Sequence, residues 1–188
     1  MNGFNVAEAG HVSVLLPPQN ITGDSSGTPI NPGVALKNYK HASILVIAGA
    51  EATQDTTTLY VYAMTSAAGA GAVAIPFNYY YQTAGGAGND VLVGNTSVNP
   101  NGLGPNNAPA TGLVLSASNW PPNGLIVIEI DANELESAAN SSALGDSDGV
   151  YSYVGIGLGA PAAADYATVV AILSGARFGN ETSPSATV

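Results

Sequence analysis

The sequence predicts an all-β protein: an antiparallel β-sandwich, jelly-roll-like, with long Gly/Asn/Pro loops and at most one short helix. Three observations carry that reading. Short runs rich in Val, Ile, Leu and Tyr follow one another, and within most of them apolar side chains recur at every second position. Clusters of Gly, Asn and Pro separate the runs. No segment holds a helical period long enough for an ordinary helix, and no repeat of fixed length argues for a solenoid.

In order, Val12, Val14 and Leu16 alternate with His11, Ser13 and Leu15, as a strand requires. Pro17-Pro18 is expected to end that strand, and residues 17–33, with Pro29 and Pro32, read as an extended arm. Ile44-Leu45-Val46-Ile47 is apolar at successive positions, the pattern of a strand central in its sheet. Thr58 to Met64 sets aliphatics on one face and Tyr60 and Tyr62 on the other, and Gly69 and Gly71 mark the turn that follows. Val73, Ile75, Phe77, Tyr79 and Tyr81 share one face of the next run. Pro76 has no N–H for a ladder, so the run is expected to be an edge strand or bulged.

Residues 84–112 read as a long loop around a short strand at Val91-Leu92-Val93, and a loop of this length is expected to serve a partner. Leu113-Val114-Leu115 is a short strand. Leu125 to Asp131 puts Ile126, Ile128 and Ile130 on one face and Leu125, Val127, Glu129 and Asp131 on the other. Asp131 is expected to cap a helical turn over 132–137. Val154, Ile156 and Leu158 form an inward face, and Gly155, Gly157 and Gly159 leave the other side bare for a close approach. Tyr166 to Leu173 is the last strand. Residues 1–178 thus read as a single β-sandwich domain, followed by a polar tail at 179–188.

A chain of 188 residues buries roughly 70% of its unfolded surface, so it needs no staple. It contains no cysteine, which removes disulfides and thiolate metal sites and fits synthesis in a reducing cytoplasm. Only 9% of residues are charged, against roughly 25% in an average domain. With 3 basic and 13 acidic residues the net charge is −10, which repels phosphate backbones, so no nucleic acid partner is expected. A chain 46% hydrophobic with so few charges is expected to hide much of its exterior against other subunits, as obligate interfaces do. The first eight residues carry neither a basic region nor an apolar one, so no signal peptide is expected. No apolar run reaches the ~18 residues of a membrane-spanning helix, and no membrane partner is expected.

The residues give little support to catalysis. Gly145-Asp146-Ser147-Asp148-Gly149 matches G-x-S-x-G, but it lacks the strand before and helix after, and both histidines, His11 and His41, precede it. It reads as an Asp/Gly turn. It also lacks the ligand series of a calcium loop. Glu129, Asp131, Glu134 and Glu136 form the densest acidic group, which reads as a solvated strand end leading into a helix start. Two histidines are too few for a structural zinc site, and no phosphate or dinucleotide loop is present, so neither metal nor cofactor is expected. The one concentration of positive charge, Lys37-Asn38-Tyr39-Lys40-His41, reads as a turn into the central strand and as a rim that could meet an acidic neighbour.

Leu36-Lys37-Asn38-Tyr39-Lys40-His41, followed by Ala42 to Val46, resembles an L-K-N-Y-x-H lead-in to a hydrophobic strand in head proteins of tailed bacteriophages. Leu125 to Leu135 is similar to a V-I-E-I-D-A-x-x-L segment of those proteins, and Val169 to Phe178 to their V-x-Y-I-L-S-x-A-R-Y ending. The resemblance covers about residues 34–178, in order. It implies a capsid decoration (cement) protein: a non-enzymatic structural virion protein on the capsid exterior, made in the host bacterial cytoplasm, bound to the major capsid protein and often trimeric. Candidate capsid or subunit contacts are Lys37, Tyr39, Lys40 and His41, with Arg177 expected to anchor the last strand through Asp131 or Glu129. The rival expectation is a carbohydrate-binding module or head-fibre adhesin, which would present Tyr60, Tyr62, Tyr79, Tyr80 and Tyr81 on one open platform.

Overall fold

A computed structural model describes residues 10–21, 28–50, 56–82, 92–93, 105–116, 120–133, 135, 151–159 and 165–176. Twelve strands follow in chain order: β1 (Gly10–Asn20), β2 (Ile30–Ala35), β3 (Tyr39–Ala48), β4 (Thr57–Met64), β5 (Val73–Ile75), β6 (Phe77–Gln82), β7 (Leu92–Val93), β8 (Asn106–Ala108), β9 (Leu113–Leu115), β10 (Leu125–Asp131), β11 (Tyr153–Leu158) and β12 (Tyr166–Ala176). They form two antiparallel sheets. The larger runs β1-β12-β3-β10-β6-β7, with β8 also on β6; the smaller runs β2-β11-β4-β5, with β9 also on β4. The molecule is an all-β sandwich.

One core lies between the sheets. Ala42, Ile44 and Val46 from β3, Ile126 and Ile128 from β10, and Val169, Ala171 and Leu173 from β12 meet Leu59, Val61 and Ala63 from β4 and Val154 and Ile156 from β11, each at most 1% exposed. Trp120, fully buried, belongs to the same cluster, and its Nε1 has no acceptor among the described residues. The strand expected to be central is so: β3 pairs with β12 along one side and β10 along the other.

Two expectations from proline change. Pro76 lies at a corner between two strands, and only the part of the run before it, β5, is an edge strand. β5 ends at Ile75 in the smaller sheet on β4, and β6 begins at Phe77 in the larger sheet on β10. Alternation continues through the corner because both sheets turn their inner faces to one core: Val73, Ile75 and Phe77 are all buried. Pro17-Pro18 fails to stop β1. Pairing with β12 resumes at Gln19 and Asn20 after register shifts, since an edge strand needs no outward N–H from proline. Both described ends of the expected arm at 17–33 are therefore strand, in β1 and β2. Within the expected loop at 84–112, β7 and β8 pair with β6.

The bare glycine face on β11 has an occupant from this chain. A Cβ at Gly155 would meet Met64 Cε at 2.7 Å and Pro29 Cβ at 3.3 Å; one at Gly157 would meet Tyr62 Cε2 at 2.7 Å and the Thr28 carbonyl at 2.9 Å. Tyr60 and Tyr62 stack with ring centroids 6.0 Å apart. The outer face of β11 is thus covered by Met64, Tyr62 and the Thr28–Pro29 segment, whereas Val114 on β9 of the same sheet stays 58% exposed.

Candidate assembly face

The outer face of the larger sheet has no such cover among the described residues. Cross-strand register lays its side chains out in rows. One row runs Val14, Val170, Leu45, Val127, Tyr80 across β1, β12, β3, β10 and β6. A second runs Thr168, Ile47, Leu125. Val12 and Ile172 add to the apolar area from the row on the other side. Val12 is 50% and Val14 55% exposed, and the other residues of these rows are partly exposed. Five strands about 4.8 Å apart make the longest row about 20 Å wide. An antiparallel sheet with one wet face normally alternates apolar and polar residues; here the wet side is apolar as well.

The two ends of this face differ. At one end Pro18, Ile47, Ala48, Gly49, Tyr166, Ala167 and Thr168 line a shallow depression of about 300 Å³. Tyr166, 47% exposed, stands on its rim. At the other end sits a polar clip. The β3–β10 register opposes His41 to Asp131 and Ser43 to Glu129. His41 Nδ1 lies 2.8 Å from Asp131 Oδ1, His41 Nε2 lies 2.5 Å from Glu129 Oε2, and the Ser43 hydroxyl donates to Glu129 Oε2 at 2.8 Å. Burial alone lowers the His41 pKa, but the hydrogen bonds to Asp131 and Glu129 and their charges outweigh it, so the value stands above the usual 6.5.

This clip has a deceptive outline. Ser43 Oγ is 3.4 Å from His41 Nε2, and Asp131 holds the opposite nitrogen, the connectivity of a serine–histidine–aspartate triad. Glu129 interrupts it. With a carboxylate facing each ring nitrogen, the protonated imidazole donates on both sides, and in that form it has no lone pair to take a serine proton. The Ser43 hydroxyl turns to Glu129 instead. The arrangement fastens β3 to β10. A cavity of about 80 Å³ beside it, lined in part by Asn78, Asn107 and Glu129, is the size of a few waters.

The candidate contacts fare unequally. Lys37 and Lys40 are exposed at the His41 end of β3, where the chain turns into that strand. His41 is partly buried in its clip. Tyr39 belongs to the core at 2% exposure, with its ring 6.4 Å from that of His11, so it presents nothing outward. Arg177 lies outside the described residues. The carboxylates expected to hold it, Asp131 and Glu129, are both engaged by His41. Asp131, expected as a helix cap, spends one oxygen on His41, and the backbone does turn helical at Ala132 and Asn133.

Sequence reasoning missed the clip because its partners are 88 and 90 residues apart. A signal did exist: His41-x-Ser43 opens one amphipathic strand and Glu129-x-Asp131 closes another. Of the tyrosines proposed as a platform, Tyr62 is buried and Tyr79 and Tyr81 pack partly against the core. The G-x-S-x-G segment at 145–149 lies outside the described residues, as do Glu134 and Glu136. Among the described residues no group of three or more His, Asp or Glu side chains is arranged for a metal ion, and no helix is long and apolar enough to cross a membrane. Comparison with family models, curated proteins and solved structures finds no match to this chain.

Proposed function

We propose that this chain is a structural subunit that binds the exterior of an assembled tailed-phage capsid and bridges its major capsid subunits. The observation that carries the proposal is the apolar outer face of the larger sheet, which has no cover among the described residues, whereas β11 of the smaller sheet is packed over by Met64, Tyr62 and the Thr28–Pro29 segment. Burying such a face against a shell removes apolar area from water at roughly 25 cal/mol per Å². Binding to the assembled state alone then stabilises that state by mass action. The depression beside Tyr166 offers a socket for an apolar anchor side chain, the kind of pocket on which binding energy concentrates. Lys37 and Lys40 supply a small cationic rim at the opposite end, suited to an acidic neighbour. The sequence resemblance to decoration proteins points the same way.

The test mixes purified protein with empty heads of the phage that encodes it, and bound copies are counted by cryo-microscopy. Saturable density at quasi-equivalent positions, with the larger sheet toward the shell, is the expected result. Leu45→Lys and Val127→Lys place a charge in the middle of the face and are expected to abolish binding while the fold persists. Binding unaffected by both substitutions, or no binding by the native chain, refutes the proposal.

A further inference from the structure

We infer that the free edge of β1 is a two-fold contact between two copies of this chain, pairing β1 with β1 antiparallel so that the larger sheets join edge to edge. Among the described residues, no strand pairs with β1 on the side away from β12. Sheet ends are normally protected by short strands, proline or charge. The other ends here are: β7 has 2 residues, β5 and β9 have 3 each, and β2 contains Pro32. β1 has 11 residues, and its guards begin late, at the register shift after Val14 and at Pro17-Pro18. From Gly10 to Val14 it is in unbroken register with β12, and among the described residues no strand hydrogen-bonds its other side.

That open stretch suits its own copy. It carries no carboxylate and no Lys or Arg, so two chains of net charge −10 meet there without opposing like charges. Val12 and Val14 point outward and are 50% and 55% exposed. A two-fold axis near Ser13 sets Val12 of one copy beside Val14 of the other, twice, giving the β-branched cross-strand pairs that stabilise antiparallel ladders. The operation keeps both outer faces on the same side, and one apolar surface then runs across both copies. The proline pair limits the contact to this short stretch and prevents open-ended strand addition. This contact does not depend on capsid binding: failure to bind heads leaves it standing.

Sedimentation equilibrium of the full chain tests it. The expected result is a reversible monomer–dimer system whose average mass rises with concentration from 18.7 kDa toward twice that value. Val14→Lys is expected to weaken dimerisation at least about tenfold, because a charge on an edge blocks pairing. Val114→Lys changes an equally exposed valine (58%) on β9 of the other sheet and is expected to leave the dimer intact. Both sites are solvent-facing, and thermal melts of the variants confirm folding before the comparison. A strictly monomeric chain, a trimer, or a dimer indifferent to Val14→Lys overturns the inference.

Discussion

Gly155→Ala and Gly157→Ala add the same methyl group to the same face of β11, two residues apart, yet their surroundings make them unequal. At Gly157 the new carbon falls 2.7 Å from Tyr62 Cε2 and 2.9 Å from the Thr28 carbonyl oxygen. A stacked ring and a main-chain oxygen yield only if backbone moves. At Gly155 the nearest atoms are Met64 Cε at 2.7 Å and Sδ at 2.8 Å, the end of an unbranched chain that can rotate aside. Both substitutions gain the same ~0.5–1 kcal/mol from replacing glycine within a strand. Overpacking costs about 1–3 kcal/mol, toward the upper end where nothing can give. Gly157→Ala is therefore expected to destabilise by about 2 kcal/mol, and Gly155→Ala by less than about 1 kcal/mol. Urea unfolding followed by the fluorescence of Trp120, the single tryptophan and fully buried, reads both values on one probe. Equal costs, or the reverse order, refute the claim that Tyr62 and Thr28 form a fixed cover over Gly157.

Further outcomes follow from the clip and the core. Because the folded His41 pKa is above 6.5, the stability it contributes is fully present below that pH and is lost as pH rises through the folded value. Urea midpoints are expected to fall over that interval, and His41→Gln to flatten the profile; a midpoint that rises there contradicts the clip. Thr57 is buried and its hydroxyl donates to the Gly159 carbonyl, so Thr57→Val is expected to cost about 1 kcal/mol by the same assay. Leu45→Lys, which abolishes head binding in the proposed function, is expected to change stability by less than about 1 kcal/mol because its site faces outward. A large loss of stability there means that the face is covered from within.

The sandwich was legible because its signal is local. Ile126, Ile128 and Ile130 alternate on β10, and the doubly apolar run of β3 announced neighbours on both sides. Proline was read by its missing donor, which holds only inside a sheet: Pro17-Pro18 sit on an edge and do not end β1, and Pro76 sits between sheets, with only β5 before it at an edge. The clip was not legible, since it depends on the β3–β10 register, which no stretch of sequence states alone. Low charge content led to the expectation of a hidden exterior without saying where. Among the described residues the outer face of β11 is packed over by Tyr62, Met64 and Thr28, and that of the larger sheet is not.

The order of strands also sets a timetable. β12 lies between β1 and β3, and among the described residues it is the only strand that holds β1. A ribosome must therefore deliver every strand from β1 through β12 before β1 finds its neighbour, and one flank of β3 stays open for as long. Such wiring is slow to close and leaves greasy edges waiting in the nascent chain. Shortening the route, by a circular permutation that makes β12 and β1 consecutive, is expected to speed refolding without altering the finished sheets.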